Sequence, residues 1–171
     1  SYLGGWGSIK LMNNQTDTST FKFCNFSYGK AILPGVSYDD PDILDNKGGA
    51  IFANNYDNII ILNSKFENNY ANYSGAGINI QDCQSVFIEN SVFINNHVLR
   101  HGAGANIVNY DTLVVKNCLF QSNIAISYSN TVLGEFAIGA GAGLFLSANL
   151  SSQKALVKGN KFANNFTAGG S

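Results

Sequence analysis

Acidic residues are the first candidates for chemistry. A column of Asp17, Asp57, Gln84, Asp111 and Gln153 stands nine residues before a series of phenylalanines. Stacked carboxylates on neighbouring strands would bind calcium or act in polysaccharide cleavage. Two of the five positions are Gln, however, and the next residues are Thr18, Asn58, Ser85, Thr112 and Lys154. That is the composition of a polar turn, where Asp or Asn bonds its own backbone, and turn capping is the preferred reading. A denser group, Asp39, Asp40, Asp42 and Asp45, is a weak metal-site candidate. It lacks the EF-hand spacing and its fixed glycine, so a solvated loop is preferred. His97 and His101 are four apart, but they flank Arg100 in a glycine-bounded turn instead of lying on a helix. No catalytic residue, metal or cofactor is assigned.

The elements that would position these groups are repeats. Gly48-Gly49-Ala50-Ile51 recurs as Gly75-Ala76-Gly77-Ile78, and Phe66-Glu67-Asn68-Asn69 recurs as Phe93-Ile94-Asn95-Asn96, both at a period of 27 residues. A period of 20–50 residues is the signature of a solenoid. The anchors of the repeat are Phe26, Phe66, Phe93, Phe120 and Phe162, a predicted core stack. Three residues before them stand Phe23, Asn63, Asn90, Asn117 and Gly159; three residues after stand Gly29, Asn69, Asn96, Asn123 and Asn165. Apart from Phe23, Asn exchanges only with Gly in both columns. These two residues enter the left-handed region most readily, so both columns are predicted to be αL corners. Their side chains would also suit a hydrogen-bonded Asn ladder.

Short strands lie between the corners. Alternation sends Ile59, Ile61, Val86, Ile88, Leu113, Val115 and Val157 inward, with Ile51, Ile78, Ile80, Ala105, Ile107, Leu144 and Leu146 from the glycine-rich starts. The expected fold is all-β: a parallel β-helix solenoid of about five coils of ~27 residues, with three short strands per coil. It forms a single segment without caps over residues 1–171. The coils run 4–29, 48–74, 75–101, 102–123 and 141–168, with insertions at 30–47 and 124–140. Both insertions follow the same corner and should project from one edge, often the binding face in repeat proteins. Cys24 and Cys118 share a column three coils apart, roughly 14 Å at the strand spacing, beyond disulfide reach. They read as small corner residues, and Cys83 lies in another turn.

Charged residues are only 12% and net charge is −1, with 24 Asn and 18 Gly in their place. No basic stripe suggests nucleic acid, and no 18-residue apolar run suggests a membrane span. Sequons begin at Asn14, Asn25, Asn72, Asn149 and Asn165, against roughly three expected by chance from this composition. One outward column is unexpectedly apolar: Ile60, Phe87, Val114 and Leu156. A contiguous apolar stripe on an outer face implies a covering partner, and lateral protein packing is expected there.

The alternation of Gly-Gly-Ala-Ile with Phe-x-x-Asn resembles the repeats of chlamydial polymorphic outer membrane proteins. More broadly it is similar to the pectin-lyase-like right-handed β-helix superfamily, and the Asn columns resemble the Asn ladder of pectate lyases. The composition and sequons also resemble protist surface β-helix proteins. The resemblance covers nearly the whole chain outside the two insertions. It implies a surface-exposed adhesin, extracellular or at the cell surface. The chain opens and closes in mid-repeat, so it is expected to be an excerpt of a longer chain or an end-to-end stacking unit. The expected role is non-enzymatic: adhesin, scaffold or filament subunit, with protein partners (itself or flanking repeats) and glycans as a further class. The alternative is a carbohydrate-binding or polysaccharide-lyase-like module, with Trp6, Tyr128 and Phe145 as the nearest aromatic platform. Against a lyase, Lys22, Glu89, Lys116 and Lys158 alternate along one stripe without a basic residue facing clustered acids.

Overall fold

The computed structural model describes residues 5–32, 44–126, 129–130, 135–136, 140–149 and 152–168, apart from the side chains of residues 14, 15, 129, 130, 135 and 136. One coil shows how the sequence makes the fold. Gly48, at φ 68°, turns the chain into the strand Ile51–Leu62. Its alternating Ile59 and Ile61 are fully buried, as β-branched residues on a pleated inner face should be. Asn63, at φ 49°, makes the next corner, and Lys65–Glu67 follows with Phe66 inward. Asn68, at φ 55°, turns the chain again into Tyr70–Ala71, and Gly75 opens the next coil at φ 64°.

Stacking these coils gives three parallel sheets. The long sheet runs Ile9–Lys22, Ile51–Leu62, Ile78–Glu89 and Ala105–Lys116, then Leu144–Ser147 and Lys154–Lys158 side by side on the last of these. The middle sheet holds Asn25–Ser27, Lys65–Glu67, Val92–Ile94, Leu119–Gln121 and Lys161–Ala163. The short sheet holds Lys30–Ala31, Tyr70–Ala71, His97–Val98, Ile124–Ile126 and Phe166–Ala168. Register is residue on like residue: Ile51 pairs with Ile78, Ile61 with Ile88 and Phe66 with Phe93. The expected all-β coil with three strands is therefore the observed one, although its strands divide differently. The glycine-rich start and the apolar run are one continuous strand with an αL residue inside it, at Asn55, Asp82 and Asn109. The third strand is a step of two or three residues after the second corner, too short to show an alternation in sequence.

The anchors stack ring on ring. Centroids are 4.9 Å apart for Phe26–Phe66, 4.8 Å for Phe66–Phe93 and for Phe93–Phe120, and 5.0 Å for Phe120–Phe162, with planes within 16° of parallel. Phe66, Phe93 and Phe120 are fully buried, whereas Phe162 is 51% and Val157 43% exposed in the last described coil.

The corners need one correction. The column three before the anchor is αL throughout, from Phe23 at φ 56° through Asn63, Asn90 and Asn117 to Gly159 at 70°. The column three after it is not. There the αL residues are one earlier: Tyr28, Asn68, Asn95, Ser122 and Asn164. Asn69, Asn96 and Asn123 instead point inward and are at most 1% exposed. Each αL corner is followed by a residue whose side chain falls inside, so an Asn-Asn pair contains one corner and one core residue. The inward Asn ladder is fully hydrogen-bonded. Asn96 Nδ2 donates to the Phe66 carbonyl and to Asn123 Oδ1, both at 3.0 Å, and Asn96 Oδ1 accepts from Asn69 N at 3.1 Å and Asn69 Nδ2 at 3.0 Å. Gly29 N and Asn165 Oδ1 continue it at either end.

The insertions are also shorter than 30–47 and 124–140. Lys30–Ala31 and Ile124–Ile126 are regular short-sheet strands paired with Tyr70–Ala71 and His97–Val98. The coil pattern resumes at Lys47 and Ala140, which bridge to Ser74 and His101. Within the second insertion Ser129–Asn130 pairs antiparallel with Glu135–Phe136. Among the described residues no helix is long and apolar enough to cross a membrane.

Candidate functional site

The outer face of the long sheet carries the apolar column. Thr20, Ile60, Phe87, Val114 and Leu156 are successive register partners along it. Their neighbours Ile59, Ile61, Val86, Ile88, Leu113 and Val115 are buried, which fixes the column as outward. Phe87 is 40% and Leu156 44% exposed. Val114, between them, is only 8% exposed, because its ladder neighbours on both sides are larger. The four apolar residues make a ridge spanning roughly 14 Å at the strand spacing. Mostly polar columns flank it: Thr18, Asn58, Ser85, Thr112 and Lys154 on one side, and Lys22, Glu89, Lys116 and Lys158 on the other, where Leu62 is the apolar exception. An apolar ridge with a polar rim is the anatomy of a protein contact.

A second surface lies on the first coil. Phe23 and Tyr28 occupy αL corners that later coils fill with Asn, Ser or Gly. Both are exposed, at 73% and 61%. A bulky residue at positive φ is a backbone outlier, and here burial does not compensate it. Between the two corners Asn25 and Ser27 face outward, and Ser27 Oγ hydrogen-bonds to Asn25 Oδ1 at 3.0 Å and to Glu67 Oε1 at 3.2 Å. A hydrogen bond from Lys65 holds the Glu67 carboxyl below its ordinary pKa, and Ser27 adds to this. Lys22 Nζ sits 5.3 Å over the Phe23 ring, and Trp6 Nε1 donates to the Ser27 carbonyl at 2.7 Å. Position 23 was marked in sequence as the one break in its Asn/Gly column. Tyr28 carried no signal, since it stands one residue ahead of the expected corner.

Among the described residues the other candidates do not converge. Asp45 pairs with Lys10 at the surface; the other members of the weak metal-site candidate, Asp39, Asp40 and Asp42, lie outside the described residues. Asp57, Gln84 and Asp111 lie inside continuous strands and not in the expected polar turn, and Asn58 Nδ2 donates to Asp57 Oδ2 at 2.8 Å, a side-chain pair and not a backbone cap. His97 sits edge-on to Tyr70 with centroids 5.4 Å apart, while His101 stacks on Phe145 at 4.8 Å. Burial lowers the pKa of both, and Arg100 lowers that of His101 further. Phe145 is thus committed to His101, and Tyr128 is outside the described residues. Cys24 and Cys118 follow αL corners in one inward column with Ser64, Ser91 and Asn160, where Sγ of Cys118 bonds the Lys116 carbonyl at 3.1 Å. Cys83 instead stands between Tyr56 and Tyr110 in register. Burial raises the Cys83 thiol to about 12 and the Cys118 thiol to about 11.

The sequons separate by burial. Asn25 and Asn149 are exposed. Asn72 is 2% exposed, and Asn165 is the last rung of the inward ladder, with its Nδ2 donating to the Phe120 carbonyl at 2.8 Å. Asn72 is enclosed and the Asn165 amide is bonded within the ladder, so neither side chain suits a glycan in this fold. The Asn14 side chain is outside the described set.

The model of a family described as a right-handed beta helix region matches residues 6–171. No curated protein and no solved structure matches the chain.

Proposed function

The chain belongs to the right-handed β-helix family, and from that premise we propose that it is a non-enzymatic extracellular or cell-surface element, an adhesive scaffold or filament subunit. The observation that supports this reading is the outward ridge Ile60–Phe87–Val114–Leu156. Phe87 is exposed within the shaft, and Leu156 in the last described coil, where the inward Val157 is exposed as well; single scattered apolar residues would mean little, but a contiguous row does. A lateral neighbour, either a second copy or a flanking repeat, would cover it. The test is sedimentation velocity on the wild type and on Phe87→Lys. Wild-type association that the lysine abolishes supports the proposal, and unchanged assembly sinks it.

A second reading is a carbohydrate-binding or polysaccharide-lyase-like module. It is favoured by the exposed aromatics of the first coil, Trp6, Phe23 and Tyr28, beside the polar group Asn25, Ser27, Lys65 and Glu67. Fold alone does not choose between the readings. A glycan array and a lyase assay decide: binding lost in Phe23→Asn, or measurable cleavage, favours the second.

A further inference from the structure

We infer that Asn25 is an N-glycan attachment site and that Phe23 is the surface on which the first sugar of that glycan lies. The inference rests on the extracellular reading, since attachment requires passage through a secretory route.

Three observations meet at this point. Asn25 begins an Asn-Phe-Ser sequon, its side chain is exposed, and the Ser27 hydroxyl donates to its Oδ1 at 3.0 Å. Phe23 stands two residues earlier, with only Cys24, packed against the core, between them, and the Phe23 and Asn25 side chains are both exposed. Phe23 also holds an αL conformation, at φ 56°, that the equivalent positions Asn63, Asn90 and Asn117 adopt without penalty. A ring kept there and left 73% exposed is neither a good corner nor a core residue. A pyranose presents a flat face of C–H groups, and an exposed aromatic ring is the side chain that such a face covers best. Lys22 approaches the ring within 5.3 Å, and a sugar needs only one face of it.

No other described sequon combines these features. Asn72 also has an aromatic two residues before it, but Tyr70 packs against His97 and Asn72 itself is buried. Asn149 is exposed, with Ser147 in the equivalent place. Asn165 is committed to the ladder.

The transfer is balanced by a lipid-pyrophosphate-linked oligosaccharide, supplied by the host's oligosaccharide transferase. Asn25 Nδ2 forms a C–N bond to the anomeric carbon, the C–O bond to the pyrophosphate breaks, and the lipid pyrophosphate leaves. The amide nitrogen gives up one proton to the transferase.

The experiment is secretion of the chain from a eukaryotic host, with site occupancy read by peptide mass spectrometry after enzymatic deglycosylation in heavy-oxygen water. Occupancy is expected at Asn25 and not at Asn72 or Asn165 in the folded, secreted protein. Ser27→Ala should abolish it. Phe23→Asn, which suits the αL corner and should fold at least as well, should lower occupancy several-fold and speed trimming of the glycan core. An empty Asn25 in the secreted wild type overturns the inference. Equal occupancy and trimming in Phe23→Asn overturns the role of Phe23. The same mapping on protein from its native source separates the two assumptions. If Asn25 is occupied after heterologous secretion and bare in the native protein, the extracellular reading has failed, and with it native use of the site.

Discussion

Asn95 and Asn96 are chemically identical neighbours with opposite roles, and replacing each in turn tests the whole account of the corners. Asn95 is exposed and holds φ 54°. Glycine adopts that conformation freely, so Asn95→Gly should change stability little, while Asn95→Ala should cost about 1–2 kcal/mol for a Cβ forced into the left-handed region. Asn96 is fully buried and makes four hydrogen bonds. Asn96→Ala removes the acceptor of the buried Asn69 N–H, at about 1–3 kcal/mol. It also takes donors from the Phe66 carbonyl and Asn123 Oδ1 and leaves a small void. Together these amount to roughly 3–4 kcal/mol. At about 2–4 °C per kcal/mol for a chain of this length, the midpoint should fall by roughly 6–16 °C in Asn96→Ala and stay within about 2 °C in Asn95→Gly. Thermal and urea unfolding followed by far-ultraviolet circular dichroism measures both. Equal losses at the two positions, or a larger loss at Asn95, would refute the assignment of corner and ladder.

Two further outcomes follow from the buried titratable groups. With the Cys83 and Cys118 thiols raised by burial, iodoacetamide at mildly alkaline pH should label Cys24 alone in the native protein and all three cysteines after unfolding, as read by peptide mass. Burial lowers the folded pKa values of His97 and His101 below 6.5, so the unfolded chain binds protons more readily there. Stability should therefore be fully present above that value and decline as pH falls below it, and replacing both histidines by Phe should flatten the urea midpoint over that range.

The repeat, the sheet phase and the Phe stack were legible because each rests on a strong pattern. A parallel coil places like on like, so Phe26 to Phe162 and the isoleucine columns announce themselves by spacing alone. The inward ladder was half legible. Asn at 69, 96 and 123 was marked as special, but a paired Asn-Asn offers two places for one corner, and composition cannot choose between them. The short-sheet strands stayed hidden because Tyr70–Ala71 and His97–Val98 are two residues each, and their inward members are small. That concealed how far Lys30–Ala31 and Ile124–Ile126 belong to the shaft. Sequon burial could not be read locally either. Asn72 and Asn165 have the same three-residue motif as Asn25, and only the coil's closure decides which of them faces the interior. The candidate surfaces rest on such non-local facts, which is why Phe87 was legible as an outward residue while Tyr28 was not.

The passage from the short sheet to the column Lys47–Ser74–His101–Ala140 has a consequence for how this chain can change. In two coils two residues make the crossing; in two others a long excursion leaves and re-enters without disturbing the register of Ile9 on Ile51 or of Ala105 on Leu144. Excursion length is thus uncoupled from the repeat. Such a seam accepts foreign segments as a splice accepts cable, and whatever is displayed there can diversify at its own pace while the shaft beneath is held to its pattern. Grafting a peptide between Val98 and His101, in a coil that now has none, would place it in line with the two natural excursions.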